Sequence, residues 1–464
     1  MLIGMGAGGV LALCFPPVGL SFLLPLCMAA LLLLLQDMSA RKAFYIGFAF
    51  GMAAYGGSLF WLSHLFGAAA ISLCAILALF PALFAALFTW LRARLPRLPI
   101  WLLAGLIWTG VEYYRSEPFV LNFGWMGLGY GVAGSPALAA AAAVSGSYGL
   151  TFGIVAVAAA LAAGMRQGRK RAVEVGSLYG LWLLLVWLPI PPPALARPLA
   201  VRLVQANSED DQSFFALSRM THSQPEEVVV WPEYSFVSDP TRQPALWRQL
   251  SGLAQQEHAY LLFGAKDQFD PSDEAGFRNT AYLVGPDGRL VGRHVKNHPV
   301  HFIRDGVAGT EARAIPTTIG RLGVTICFDM DYPDVARRLA ADGAEVFLVP
   351  NDDPPEWGPV QRAQHSLMFE MRAAECGRWL ARADVAGGTS VVAPLGQEVA
   401  RVHTTEPAAL DARVGRLSGR TLYVRGGWLW GPFCYVATLA LIVWASGVRF
   451  VSRSGQSDVQ SRRE

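Results

Sequence analysis

Three segments of this chain carry a chemically capable side chain at the end of a short apolar run. The first, Val228-Val229-Val230-Trp231-Pro232-Glu233, closes on a carboxylate. At that end of a parallel sheet, side chains face the ligand crevice. An apolar setting there raises a carboxyl pKa, which suits a general base. The second, Val324-Thr325-Ile326-Cys327-Phe328-Asp329, brings a thiol to a turn, and Pro333 after Tyr332 suits the first turn of a helix. A helix N-terminus or an ammonium nearby favours the thiolate, the reactive form. The third, Gly292-Arg293-His294-Val295-Lys296-Asn297-His298, sets Lys296 beyond a strand-like run. Beside a cysteine nucleophile, that ammonium would stabilise both a thiolate and a tetrahedral oxyanion. Taken singly, each has a plainer reading: a solvated acid, a buried structural cysteine, a surface lysine. The chain has no Gly-rich phosphate loop and no CxxC or HExxH spacing, so neither nucleotide nor metal chemistry is signalled and no cofactor is expected.

The elements that must position these residues lie between about 198 and 421, where short apolar runs alternate with turns and amphipathic stretches. Strands are expected at 201–204, 228–231, 260–264, 280–284, 324–327, 346–349, 380–383 and 390–393, and helices at 245–257, 334–342 and 359–376, with a small one near Ser213–Met220. Gly285-Pro286-Asp287-Gly288 is a turn between two such runs. Strands alternating with helices point to an α/β sandwich of open sheets.

The rest of the chain has a different composition. Only 16% of the 464 residues are charged and 53% are hydrophobic, against roughly 25% charged in ordinary soluble proteins. The deficit is concentrated before about Pro193. A membrane span needs about 20 apolar residues, and candidate stretches occur at 2–17, 19–36, 43–65, 69–91, 99–115, 140–163, 173–190 and 427–447. The first two meet at Pro16-Pro17, as a hairpin or one broken helix. Arg41 and Lys42, then Arg92, Arg94 and Arg97, then Arg166, Arg169, Lys170 and Arg171, and finally Arg449, Arg453, Arg462 and Arg463 all fall on one side of this alternation. Cytoplasmic loops are rich in Lys and Arg, so both ends of the chain are expected in the cytoplasm and the 198–421 block outside it. Arg115 is the main exception. The expected division is a membrane domain at 1–193, a catalytic domain at 198–421, a last span at 427–447 and a tail at 448–464. The first stretch lacks the basic start of a cleavable signal peptide. The net charge of +3 and the absence of a basic stripe give no sign of a nucleic-acid partner.

Together, Glu233, Lys296 and Cys327 resemble, in chain order, the catalytic set of the nitrilase (carbon–nitrogen hydrolase) superfamily. Val349-Pro350-Asn351-Asp352, Gln364-His365, Arg372-Ala373-Ala374-Glu375, Gly377-Arg378 and Gly387-Gly388-Thr389-Ser390 resemble that superfamily's segments after the nucleophile. Such a domain set between apolar spans is similar to the apolipoprotein N-acyltransferase family. Phe15-Pro16-Pro17-Val18-Gly19-Leu20, Gly47–Trp61 and Gly124-Trp125-Met126-Gly127-Leu128-Gly129-Tyr130 add to the likeness. The resemblance implies an αββα catalytic sandwich on a multi-pass domain of about eight helices in the cell (inner) membrane. It implies Cys327 as nucleophile, Glu233 as general base, Lys296 as electrostatic stabiliser and the Phe328 backbone N–H at the oxyanion. The implied reaction moves an acyl chain from a membrane phospholipid through a cysteine thioester to the α-amino group of an S-diacylglyceryl-cysteine lipoprotein.

The sequence departs from the family pattern after the lysine. The family's Pro-Phe-Gly-Glu stretch is replaced by Val300-His301-Phe302-Ile303-Arg304-Asp305, so its glutamate position falls on Arg304, with Asp305 as the candidate replacement. Asp329 stands where the family often has glutamate. Asp305, Asp329 and Asn351 are therefore supporting candidates. The alternatives are a membrane-tethered amidohydrolase or paralogue with another acceptor, and an inactive scaffold. A Cys327–Cys376 disulfide would block the chemistry. Glu112, near Arg115, is either a functional intramembrane acid or an interfacial one.

Overall fold

The computed structural model describes residues 1–165, 169–207, 211–219, 227–268, 276–301 and 303–460. Arg166, Met220, Phe302, Arg462 and Arg463, which entered the reading above, lie outside the described residues. Contacts divide the chain into two units. One comprises Met1–Gly131, Ser147–Trp187 and Leu429–Glu464; the other comprises Val132–Gly146 and Leu188–Trp428.

The second unit holds two six-stranded sheets. The strands are β1 (Leu199–Gln205), β2 (Val228–Val230), β3 (Tyr260–Gln268), β4 (Phe277–Val284), β5 (Leu290–Val295), β6 (Ile315–Thr317), β7 (Gly320–Val324), β8 (Val346–Pro350), β9 (Leu380–Ala383), β10 (Ser390–Val392), β11 (Glu398–Arg401) and β12 (Ala408–Val414). Their orders are β12-β1-β2-β3-β4-β5 and β11-β10-β9-β8-β7-β6. β1–β3 run parallel, as do β7–β9.

Strand side chains alternate between faces, and both faces of the central strands are apolar. Val228 and Val230 join Leu203, Val324, Val346 and Leu348 between the sheets. Val229 points outward to Phe214, Leu250 and Leu253 of helices Asp211–Ser218 and Pro244–Gln256. Phe347 and Val349 of the second sheet meet Val335, Leu339, Phe369 and Ala373 of helices Pro333–Ala341 and Gly358–Cys376. The layers are thus helix, sheet, sheet, helix. Each fully buried Val, Leu or Phe contributes about 1.5–3 kcal/mol. Helix Gly358–Cys376 stops at Gly377, whose left-handed φ of 61° lets the Arg378 N–H reach back to the Ala373 carbonyl at 3.0 Å.

The expected strands are found, with β2 ending before Trp231 and β10 before Ala393, except that β7 runs Gly320–Val324 and meets the run expected at 324–327 only at Val324. β6, β11 and β12 were not expected. All three are sheet edges, and an edge strand half in water needs no apolar run.

Among the described residues, three helical segments are long and apolar enough to cross a membrane: Ala69–Arg94, Pro136–Gly164 and Gly427–Gly447. Ile71, Val436 and Val443 on two of them are largely exposed, a surface that suits lipid rather than water. The stretches expected at 2–17 and 19–36 fold as helices Leu2–Ala12 and Leu24–Leu34, 11 residues each. At about 1.5 Å per residue each covers roughly half of a ~30 Å hydrocarbon core. The helix that carries the span expected at 140–163 is not continuous. It breaks at Gly146 (φ 68°, ψ −173°), so Val132–Gly146 leaves the expected 1–193 block and joins the α/β unit. Glycine is needed at the break: a Cβ there would sit 2.6 Å from the Tyr423 ring. Glu112 is buried. It accepts from Trp108 Nε1 (3.2 Å), Leu128 N (3.0 Å) and Thr151 Oγ1 (2.6 Å), which ties the 128–132 turn to helix Ile100–Ser116.

Candidate active site

Glu233 lies just past β2, on the inner side of the sandwich. Its backbone runs so close to β3 that a Cβ at residue 264 would come within 2.6 Å of the Glu233 Cα, and Gly264 supplies the room. The Glu233 N–H donates to the Asn351 carbonyl at 3.3 Å, linking the first sheet to the end of β8 in the second. Lys296 lies one residue past β5, its N–H on the Asn279 carbonyl of β4 at 2.9 Å. Cys327 follows β7 with a left-handed φ of 41°, which is strained for a residue other than glycine. The residue is 2% exposed and opens the 3-10 turn Cys327–Asp331, with Phe328 directly after it. Cys327 and Cys376 are free thiols, so no disulfide blocks the site.

One side chain organises the centre. The Lys296 Nζ stands 2.7 Å from Glu233 Oε1 and 2.7 Å from Asp305 Oδ2. All three residues are 3% exposed or less. Asp305 is thus the second carboxylate, and Arg304 is exposed. Asp305 also accepts from Tyr234 Oη (2.7 Å), Asn279 Nδ2 (2.8 Å) and Val300 N (2.8 Å). Asn279 Nδ2 donates in addition to Glu233 Oε1. Tyr234 and Asn279 were missed in the sequence. The available signal for Asn279 was a polar residue at an inward position of an otherwise apolar strand.

Burial pushes the Glu233 carboxyl up; Lys296 opposes this and Asp305 adds to it. Burial works against the charge on Lys296, but Glu233, Cys327 and Asp305 together hold its pKa well above the ordinary range. Burial and then Glu233 raise the Cys327 thiol well above its usual value, while Lys296 and a backbone hydrogen bond from Asp352 pull the other way. The resting site therefore holds a protonated thiol, a fixed ammonium and a carboxylate of raised basicity. A thiol in that state becomes a nucleophile by giving its proton to a neighbouring base.

Asp329 serves a different purpose. Its Oδ1 accepts from Asn297 N (2.8 Å) and His298 N (2.9 Å), and its Oδ2 from Ile326 N (3.2 Å) and the His294 ring (2.8 Å). It locks the nucleophile turn to the lysine loop. Asn351 is fully buried and donates to Asp384 Oδ1 at 2.7 Å. It frames the site and has no hydrogen bond to the Cys327 or Lys296 side chains.

A second buried cluster borders the nucleophile. Ligand-type atoms of Cys327, Asp353 and His365 lie within 4.8 Å of one another. The His365 ring is flanked by Asp353 (2.8 Å from Nδ1) and Asp331 (3.0 Å from Nε2). Burial opposes its charge, yet Asp353 and Asp331 push its pKa up to about 10. It is therefore held as a cation shared by two carboxylates.

Residues 7–160 match the family model described as the apolipoprotein N-acyltransferase N-terminal domain, and residues 190–417 match the carbon-nitrogen hydrolase model. Proteins named apolipoprotein N-acyltransferase are similar over nearly the whole length. The one from Geobacter metallireducens is 28% identical over 95% of this chain and 94% of its own. The one from Pseudomonas putida is 28% identical over 96% of each chain. Among solved structures, a nitrilase-superfamily amidase from Nesterenkonia AN1 aligns over 50% of this chain and 95% of its own, at 20% identity and a TM-score of 0.41.

Proposed function

This chain belongs to the apolipoprotein N-acyltransferase family and acylates lipoproteins, and we propose that it does so with a membrane phospholipid as donor and a thioester on Cys327 as intermediate. The observation that carries the site assignment is the buried Lys296 ammonium, 2.7 Å from both the Glu233 and Asp305 carboxylates and beside a strained, buried cysteine.

Glu233 takes the Cys327 thiol proton as sulfur attacks the donor's ester carbonyl. The oxyanion is met by the Lys296 ammonium and the Phe328 backbone N–H. The tetrahedral adduct collapses, Glu233 returns the proton to the departing glycerol oxygen, and a lysophospholipid leaves. In the second half, the neutral α-amino group of an S-diacylglyceryl cysteine attacks the thioester carbon and Glu233 takes a proton from the nitrogen; the C–S bond breaks with its electron pair on sulfur, Glu233 protonates the thiolate, and the amide leaves. The same three residues would run an amidohydrolase if water reached the acyl-enzyme.

Both substrates are lipids or lipid-anchored, which accounts for a catalytic unit built into a chain of apolar helices. The catalytic domain spans 198–421, flanked by a multi-pass domain of about seven helices and a last span, the eighth, at 427–447. The paired helices Leu2–Ala12 and Leu24–Leu34 return the chain to the side on which it began. With the basic clusters in the cytoplasm, both ends lie there and the catalytic domain faces outward from the inner membrane.

Intact-protein mass spectrometry after incubation with phospholipid tests the reading. Wild type gains one hydroxylamine-labile acyl mass, Cys327→Ala gains none, and Glu233→Ala gains it far more slowly. A stable adduct in Cys327→Ala, or none in wild type, overturns it.

A further inference from the structure

At one end of the α/β unit, Arg197, Arg378, Arg416 and Arg420 line a single groove of about 540 Å³. Their donors go to main-chain carbonyls. Arg378, 1% exposed, reaches Ala344 through Nε (2.6 Å), Cys376 and Gly377 through Nη1 (3.2 and 3.1 Å) and Gly419 through Nη2 (2.6 Å). Arg416 donates to the carbonyls of Arg197 (2.9 Å) and Ile319, and Arg420 to that of Ala341. These bonds fix the guanidiniums without neutralising them. Among the described residues, the one carboxylate in ion-pair range of the four is Glu345, 3.4 Å from Arg197 Nη2. Asp342, beside the carbonyl that holds Arg420, is paired with Arg321 at 3.0 Å. Four cations thus share one acid, and two of them, Arg197 and Arg420, are exposed.

The groove is separate from the catalytic centre. Arg197 precedes β1, Arg378 precedes β9, and Arg416 follows β12, which runs antiparallel to β1. Glu233 and Cys327 instead follow β2 and β7, strands parallel to β1 and to β8 and β9. The two places therefore lie at opposite ends of the sheets, a strand's length apart, roughly 15 Å for the five residues of β8.

Its rim is apolar. Leu195 and Leu422, each next in sequence to a lining residue, are 40% and 58% exposed. The last apolar span begins at Gly427, six residues after Thr421 of the lining, with Trp428 and Trp430 at its start, and indoles favour the membrane–water interface. Guanidiniums beside exposed leucines match a lipid: the forked donors take phosphate oxygens, and the leucines meet the apolar layer below the headgroups. A zwitterionic headgroup would bring its own ammonium against four arginines; an anionic one brings none. We propose that this groove binds the phosphate headgroup of an anionic phospholipid, at a site distinct from the one where the acyl donor reacts. The bound lipid seats the catalytic unit on the bilayer surface and stabilises the fold by mass action. The inference rests on the membrane reading above and not on the thioester chemistry.

The test titrates full-length protein in detergent with phosphatidylglycerol or phosphatidylcholine and counts bound lipids by native mass spectrometry, with thermal unfolding alongside. Wild type should hold one more phosphatidylglycerol than phosphatidylcholine. The double variant Arg197→Gln/Arg420→Gln should bind that extra lipid roughly 30-fold more weakly, and Arg197→Lys/Arg420→Lys should recover most of the affinity. Lipid at the catalytic centre counts equally in all three proteins. Without added lipid the glutamine variant should melt like wild type, losing only the gain that phosphatidylglycerol gives. Equal binding of the two lipids by wild type, or unchanged phosphatidylglycerol binding in the glutamine variant, overturns the inference. Displacement by an equal concentration of inorganic phosphate marks a site for free anions and overturns it too, as does a lower melting temperature with either lipid and with none, which marks a structural role. Thioester formation is read in the same samples: its absence in wild type overturns the acyl-transfer reading, whereas loss of the extra lipid alone overturns only this one.

Discussion

Replacing Asp305 by Asn keeps the side-chain shape and removes one charge from the centre. Glu233 Oε1 and Asp305 Oδ2 each lie 2.7 Å from the same Nζ, so the two oxygens are at most about 5.4 Å apart, and at an effective dielectric near 20 their repulsion is about 3 kcal/mol. That repulsion helps keep Glu233 basic. Without it, the Glu233 carboxylate is better satisfied by Lys296 and accepts a proton less readily. If about half of the lost repulsion is felt in the proton-transfer transition state, acylation slows roughly tenfold. Stability falls as well. Asp305 accepts from Lys296, Val300, Tyr234 and Asn279, whereas an amide presents its NH2 to some of these donors in either orientation. Breaking a buried pair costs about 3–5 kcal/mol, a melting-temperature drop on the order of 10 °C for a domain of this size. The assay is the initial rate of thioester formation from phospholipid across pH, with thermal unfolding alongside. The basic group's limb should move to lower pH, because Asp305 raises Glu233. Exposed Arg304, replaced by Ala, should change neither readout. An Asp305→Asn protein that acylates and melts like wild type, or whose limb moves upward, refutes this account. So does a large loss in Arg304→Ala.

Two stability predictions follow from other buried groups. Burial and Glu398 raise the Glu370 carboxyl to about 8, with Arg382 and Arg401 opposing, and its Oε2 is buried with no hydrogen-bond partner among the described residues. The native state then holds a proton that the unfolded chain loses near pH 4.3, so stability falls as pH rises from there to about 8. Glu370→Gln should melt higher than wild type at alkaline pH and alike in acid; a gain independent of pH would count against it. His365, held as a cation to about pH 10, contributes stability that is fully present below its unfolded pKa of about 6.5 and disappears as pH rises through the folded value. His365→Gln strands Asp331 and Asp353 together and should cost about 3–5 kcal/mol at pH 7, read by thermal unfolding. An unchanged melting temperature at pH 7 rules that out.

How much of this was legible in the chain depends on what each element had to bury. The central strands are buried on both faces, so Val228–Val230 and Val346–Pro350 stand out as apolar runs. The edges β6, β11 and β12 bury one face or less, and Glu398–Arg401 or Ala408–Val414 leave no such run. The membrane half was legible as composition, not as geometry. The apolar stretch at 140–163 does not announce that the chain breaks at Gly146 and there packs against the Tyr423 ring, remote in sequence.

The site divides the same way. Glu233, Lys296 and Cys327 were visible because each ends an apolar run and the three stand in a recognisable order. Asn279 and Tyr234 were not, because their work is to saturate Asp305, and that partnership exists only once β4 lies beside β3 and β5. Residue 304 shows why a motif read position by position can mislead. What the centre requires is a carboxylate within reach of Lys296 Nζ, and the loop after β5 is free to deliver it one residue late. Arg304 is exposed and Asp305, one residue later, is buried in the role that the motif gives to its glutamate, so the charge pattern survives: one ammonium, two carboxylates, one thiol. An inactive scaffold would have no reason to keep a lysine buried between two acids, since a buried ion pair is poor evidence of stabilisation and well-packed apolar residues do as well or better. Retention of so costly an arrangement is what a working acyl-transfer centre requires.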